Sequence, residues 1–140
     1  MSAISAQFEH ALIGQTMSIA RREADWVFAV PDESCVVAVE CAWRLRDGER
    51  VLLTDGDDGQ QFGLPSPVDA EQIASRILKG RTVVGCSVRH PTADIEIALL
   101  DGVRLDILTN SSGYESWTAT LGGNLIVGRG DGVSVVREQP

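Results

Sequence analysis

Ile95-Glu96-Ile97-Ala98-Leu99-Leu100-Asp101-Gly102-Val103-Arg104-Leu105-Asp106-Ile107 is the stretch on which the fold turns. Ile95, Ile97 and Leu99 alternate with other residues, as do Val103, Leu105 and Ile107, so each run presents one apolar face at strand period. For those faces to coincide, Leu99 must pair with Val103, leaving the three-residue loop Leu100-Asp101-Gly102. That loop puts glycine where a type I turn with a G1 bulge needs positive φ. A two-residue loop would set Ile97 opposite Asp106, on the wrong side of the sheet. The same register stands Glu96 opposite Asp106 on the outer face, with Arg104 diagonal to Glu96 as a surface charge ladder.

A matching hairpin lies upstream. Trp26, Phe28 and Val30 face Val39, Val37 and Cys35 across Pro31-Asp32-Glu33-Ser34. The correspondence extends in both directions. Leu12-Ile13-Gly14-Gln15-Thr16 returns as Leu78-Lys79-Gly80-Arg81-Thr82, and Ala24-Asp25-Trp26-Val27-Phe28-Ala29 as Ala93-Asp94-Ile95-Glu96-Ile97-Ala98. Trp43, Asp47-Gly48 and Val51-Leu52-Leu53 return as Trp117, Gly122-Gly123 and Leu125-Ile126-Val127. The offset lengthens along the chain, as loop insertions in the second copy would make it. This self-similarity predicts one supersecondary unit built twice in a pseudo-two-fold relation, about 4–54 and 70–128, joined by a linker at 55–67.

Each half begins with a short helix. In the second, Asp69 caps, Gln72 completes a capping-box pair, and Val68 and Ile73 take the staple positions. Ile73, Ile77 and Leu78 form the apolar stripe, and Gly80 closes the helix in the left-handed conformation. In the first, Ile4, Phe8, Ala11 and Leu12 share a face and Gly14 takes the place of Gly80. The rest reads as strands. Val84, Cys86 and Val88 share one side of Thr82 to Arg89, and Ser34 to Arg46 is one bent strand or two continuous ones. Arg50 to Thr54, Glu115 to Leu121, Asn124 to Gly128 and Val133 to Val136 complete the set. The expected class is α+β: a single domain over 1–140, a predominantly antiparallel meander with helices packed on one face.

A chain of 140 residues with a hydrophobic fraction of 44% buries enough core to fold without staples. Its net charge of −8 is lopsided, because residues 1–60 hold five arginines against eleven carboxylates. That sign excludes a phosphate-binding surface of the nucleic-acid type and favours basic partners. No apolar run approaches the ~18 residues of a membrane span. The first residues lack the basic and apolar regions of a signal peptide, so a cytoplasmic address is expected. Cys35, Cys41 and Cys86 form no C-x-x-C pair. Each falls in phase with apolar neighbours, so they read as buried free thiols rather than metal ligands.

Candidate chemistry is sparse. Asp55-Gly56-Asp57-Asp58-Gly59 suggests calcium, but an EF-hand loop from Asp55 needs glycine and glutamate where Gln60 and Ser66 stand. Arg129-Gly130-Asp131 reads as a glycine-rich turn, and no P-loop lysine follows it. His10 lies off its helix's apolar stripe, His90-Pro91 sits in a turn, and Ser87, Ser111 and Ser112 lack a nucleophile elbow. The most distinctive element is Tyr114-Glu115-Ser116-Trp117, after the loop Thr109-Asn110-Ser111-Ser112-Gly113. Trp117 matches Trp43 as a core residue. Tyr114 and Glu115 lie on a loop enlarged in this copy, and such loops carry binding.

The pattern Leu78-x-Gly80-x-x-Val83, Asp94-Ile95-Glu96-Ile97, Leu99, Asp101-Gly102-Val103-Arg104-Leu105 and Tyr114-Glu115-x-Trp117 resembles a family of small uncharacterised bacterial proteins. Its members share an L-x-G-x-x-V start and a Y-E-x-W element, and the resemblance spans about residues 77–128. It implies no catalytic residues. Small acidic proteins of this look often stand beside polymorphic toxin genes, so the resemblance implies an immunity role. Cys35, Cys41 and the acidic loop at Asp55 depart from the pattern.

These readings converge on a non-catalytic domain without cofactor or metal, monomeric or homodimeric, whose partner is a basic protein such as a toxin. Asp55, Asp57 and Asp58 are the first candidates for contact, with Tyr114 and Glu115 second. An acidic face speeds encounter, and buried aromatic anchors lengthen the complex's life. The alternative is a metabolite-binding protein or enzyme with a cleft between the halves. The last strand, Val133 to Val136, could instead pair across a dimer.

Overall fold

A computed structural model describes residues 3–137. Its elements in chain order are α1 (Ala3–Leu12), β1 (Ser18–Arg21), β2 (Trp26–Ala29), β3 (Cys35–Val39), β4 (Ala42–Asp47), β5 (Arg50–Thr54), α2 (Ala70–Leu78), β6 (Val83–Val88), β7 (Ile95–Leu99), β8 (Val103–Leu108), β9 (Glu115–Leu121), β10 (Asn124–Arg129) and β11 (Gly132–Arg137). The class is α+β with strands dominating. The strands form two sheets rather than one meander: a six-stranded sheet in the order β1-β2-β3-β9-β10-β11, and a five-stranded sheet in the order β5-β4-β8-β7-β6.

Both expected hairpins hold their register. Glu96 stands opposite Asp106 and Ile97 opposite Leu105, while Trp26 faces Val39 and Phe28 faces Val37. In the β7–β8 turn Asp101 joins Gly102 at positive φ, 64° and 79°. The single-sheet expectation fails at two places where the chain changes sheet. Glu40-Cys41 carries it from β3 into β4, and residues 109–114 carry it from β8 into β9. Each sheet thereby joins three consecutive strands of one half to strands sent across from the other.

The inner faces meet in one core. Trp43 of the five-stranded sheet packs edge-on against Phe28 and Trp26 of the six-stranded sheet, at 5.6 and 5.0 Å between ring centroids. Trp117 meets Phe8 of α1 in the same way at 5.8 Å, and such pairs add ~0.5–1.5 kcal/mol beyond burial. Trp43 lies opposite Ile107, and Trp117 lies opposite Val39.

The helices do not share a face, contrary to expectation. α1 packs along β6 and touches β3 and β9, whereas α2 packs along β1 and touches β5. Each helix therefore closes one open flank between the two sheets, because an uncovered flank would leave the interior in contact with water. After α1 the chain continues beside β6, with Gly14 N–H donating to Val83 O at 2.9 Å and Val83 N–H to Gln15 O at 2.8 Å.

Further local corrections follow from packing. Val83, not Val84, joins Cys86 and Val88 in the core, because a bulge between Val83 and Gly85 shifts the phase and leaves Val84 exposed. In α2 the fully buried residues are Ala70, Ala74 and Leu78, with Ile73 and Ile77 partly covered, since small residues let the helix approach the sheet. β1 was not among the expected strands. The segment read as a linker is tied down: Gly59 N–H donates to Val68 O at 2.8 Å and Val68 N–H to Gln60 O at 2.7 Å.

Candidate functional site

The outer face of the six-stranded sheet is built by the residues that alternate with the core. Registering the strands gives two adjacent rows across it. One runs Ala20, Val27, Ala38, Thr118, Val127, Ser134, and the other Ser18, Ala29, Val36, Thr120, Leu125, Val136. None of these twelve residues is charged, and eight are apolar. α1 meets this sheet from its core side, with Phe8 against Trp117, and α2 meets it at the edge strand β1.

At one end of the rows the composition changes. The next positions outward are Arg22, Asp25, Glu40 and Arg129, with backbone bonds Arg22 N–H to Asp25 O and Glu40 N–H to Ser116 O continuing the ladder. Two depressions lie along this rim. One, of about 330 Å³, includes Arg21, Arg22, Glu23, Asp25, Glu40, Asp55 and Asp58 among its lining. The other, of about 510 Å³, is lined by Glu40, Ser112, Gly113, Tyr114, Glu115, Arg129 and Asp131. Glu40 belongs to both. Together they hold seven carboxylates and three guanidinium groups, a formal charge of −4.

The rim thus brings Asp55 and Asp58 into line with Tyr114 and Glu115, which are remote in sequence. The aspartates are also bound internally. Asp55 Oδ1 accepts from Trp43 N–H at 3.1 Å, which ties the loop to the start of β4. Asp57 Oδ2 accepts from Thr54 N–H at 2.9 Å. Asp58 Oδ1 accepts from Ala70 N–H at 2.9 Å and from Arg21 Nη1 at 2.8 Å, satisfying one of the orphan donors at the start of α2. Asp69 takes another, Gln72 N–H, at 3.1 Å. Asp57 lines neither depression.

Tyr114 is 81% exposed, the most exposed large hydrophobic side chain of the described residues. Its loop is shaped by Ser111 Oγ, which accepts from Tyr114 N–H at 3.0 Å. Glu115 Oε1 accepts from Arg129 Nη2 at 3.2 Å, an exposed pair worth little to stability. At the opposite corner Arg22 grips Asp25 with two bonds of 2.6 Å. Those bonds hold the Asp25 carboxyl below its ordinary range against the opposing effect of burial. That carboxylate therefore stays ionised into more acidic solution than a free aspartate would.

Nucleophilic chemistry finds little support in the surroundings of the thiols. Burial pushes Cys35 and Cys41 up to about 12 and raises Cys86 further, so all three are neutral and shielded at physiological pH. His10 borders a groove of about 620 Å³ between α1 and the β9–β10 turn, beside Gln7, Gln15, Ser34 and Asn124. Among the described residues no cysteine or carboxylate lines it. Among the described residues no group of three or more His, Cys, Asp or Glu could hold a metal ion, and no helix is long and apolar enough to cross a membrane.

Sequence reasoning missed Glu40 and Asp25 as rim residues, and missed the uncharged rows altogether. The signal for the rows lay in the phase opposite to the core: Val27 and Ala29, Val36 and Ala38, Thr118 and Thr120, Leu125 and Val127. Comparison of the chain with protein families, with curated proteins and with solved structures finds no match.

Proposed function

We propose that this chain is a non-catalytic protein-binding domain of the cytoplasm whose six-stranded face receives a basic protein partner. Its most concrete form is an immunity protein that covers a toxin. The observation that carries the reading is the uncharged double row bordered by an acidic rim. A sheet facing water normally turns polar residues outward; here Val27, Val36, Leu125 and Val136 take those positions. An uncharged centre with a charged border is the anatomy of a protein interface.

Size decides what this face can do. Six strands ~4.8 Å apart and two side-chain repeats of ~6.8 Å give a projected area of roughly 400 Å². That is about half of the ~800 Å² per partner of a standard interface. The rim, with Tyr114 standing free as an aromatic anchor, supplies the remainder. Its charge speeds the approach of a basic partner, while Asp55, Asp57 and Asp58 add to the same field from fixed positions.

We also infer that the halves, about 4–54 and 70–128, are copies of one module in a pseudo-two-fold relation. The strand orders support it. Exchanging the halves converts β1-β2-β3-β9-β10 into β6-β7-β8-β4-β5, and Trp43 opposite Ile107 into Trp117 opposite Val39.

Affinity capture from the native host tests the binding reading. The wild-type chain is expected to retain a basic protein that a Val36→Glu/Leu125→Glu variant of unchanged melting temperature loses. Glu40→Lys/Glu115→Lys should slow association and flatten its salt dependence. Capture of the same proteins by the double-glutamate variant would sink the proposal. Sedimentation that finds a wild-type dimer broken by that variant would reassign the face to a second copy of the chain.

A further inference from the structure

The outer face of the five-stranded sheet has the opposite character. Arg44, Arg46, Arg89 and Arg104 project from it, four of the twelve basic residues of an acidic chain. A cavity of about 300 Å³ opens there, and Arg44, Ser87 and Arg89 stand in its lining. We propose that this cavity is an oxyanion site, in which Arg44 and Arg89 hold a phosphate or carboxylate group of a small ligand and Ser87 donates a third hydrogen bond.

The argument rests on which donors the fold already uses. Asp106, only 5% exposed, accepts from Nε of Arg44 at 2.8 Å and from Nε of Arg46 at 2.7 Å. Arg46 goes on to donate to Glu96 Oε2 at 2.9 Å and to Gly48 O at 3.0 Å, so its fork is occupied. Arg44 gives Nε alone. Its stem is aimed by a buried carboxylate, and among the described residues nothing accepts from its terminal nitrogens. The same holds for the Arg89 guanidinium and the Ser87 hydroxyl. A planar fork with two free donors matches a carboxylate or phosphate edge, which is why arginine recurs at such sites.

Topology brings the free donors together. Ser87 on β6 and Arg89, one residue past its end, share the outward phase, while Arg44 stands on β4. Three strand spacings, about 14 Å, separate those strands, and both arginines line the one cavity between them, together with Asp106 and Glu96. The three carboxylates of the lining equal its three arginines in number, so the site rests on unshared donors rather than on net charge. Asp106 is shared by two arginines, Glu96 by Arg46 and Arg104, and Asp94 Oδ1 is taken by Thr109 N–H at 2.8 Å and Thr109 Oγ1 at 2.7 Å. This site is on the face opposite the proposed protein interface, so either can fail without the other.

The test is an NMR titration of arginine Nε–Hε resonances with inorganic phosphate and, separately, with succinate, at constant ionic strength. Saturable shifts of Arg44 and Arg89 with either probe are expected, with exposed Arg50 and Arg76 unmoved. Response to phosphate alone assigns a phosphorylated ligand, and response to succinate alone a carboxylate. Arg89→Gln should weaken binding at least tenfold without altering the Asp106 network, and Arg44→Gln should weaken it as much while removing one of the two arginines on Asp106. Linear shifts, equal shifts at Arg50 and Arg76, or unchanged affinity in Arg89→Gln would overturn the proposal.

Discussion

Gly128 is the position where one methyl group should do the most damage. It pairs with Trp117 across the β9–β10 ladder. A Cβ placed there would overlap Cε2, Nε1 and Cζ2 of the indole. The φ of Gly128 lies outside the left-handed region, so alanine meets no backbone penalty and the cost is steric. Trp117 is 1% exposed, its Nε1–H donates to Ala93 O at 2.8 Å, and its edge meets Phe8. To admit the methyl group the indole must shift, which breaks that bond and disturbs the helix α1 contact. Overpacking costs ~1–3 kcal/mol and a lost buried hydrogen bond about 1 kcal/mol, so Gly128→Ala should destabilise by roughly 2–4 kcal/mol. At roughly 2–4 °C per kcal/mol this lowers Tm by about 4–16 °C. Urea unfolding followed by far-UV circular dichroism measures the cost, and repeating it in a Trp117→Leu background isolates the clash, because there the methyl group has space. A Gly128→Ala protein within ~0.5 kcal/mol of its parent, the ordinary range for a neutral site, would refute the reasoning. An equal cost in both backgrounds would refute it too.

The buried thiols should take up no iodoacetamide at pH 8 in the native protein and react fully in urea, as intact mass would show; one native adduct would contradict the burial of Cys35, Cys41 or Cys86. Their raised folded-state values also set an alkaline limit. The stability they contribute is complete below about 9, the unfolded value, and is lost as pH rises toward about 12, which melts recorded from pH 8 to 11 would trace. Asp58→Ala removes the acceptor for Ala70 N–H and the Arg21 partner, and should cost ~1 kcal/mol in urea unfolding, with Asn restoring part of it. Gly130→Ala would press a methyl group on the backbone of Ser111 and Ser112, so amide shifts should move throughout the loop to Tyr114; shifts confined to residue 130 and its chain neighbours would contradict that contact.

The hairpins were legible because burial fixes parity. A register slip in Ile95–Ile107 moves Asp106 and Arg104 into the core, so one reading of the turn survives. Other features left no local trace. β1 is four residues long with Ile19 as its single buried side chain, too short a run for alternation to register. The bulge at Val83–Gly85 depends on the partner strand, and the pair Val83-Val84 offers two equivalent choices for the core. The passage from one sheet to the other at Glu40-Cys41 is hidden for a geometric reason. Cys35, Val37 and Val39 point inward from one sheet, and Cys41, Trp43 and Leu45 point inward from the other. Since the sheets face each other, the odd phase stays apolar straight through the crossing, and nothing in the run announces it.

The proposed interface lies deeper than any of these. Each strand taken alone has an unexceptional outward phase, such as Thr118 and Thr120 on β9 or Val36 and Ala38 on β3. The absence of charge becomes a property of the surface only when β3 is set beside β9 and β10 beside β11, neighbours that the chain order does not announce. The same assembly gathers Glu40, Glu115 and Asp131 at one end of the rows, although they are far apart along the chain. Core residues are selected locally, by the water each strand must exclude. A recognition surface is selected by its summed pattern, and here that pattern exists only after the strands from both halves have been interleaved.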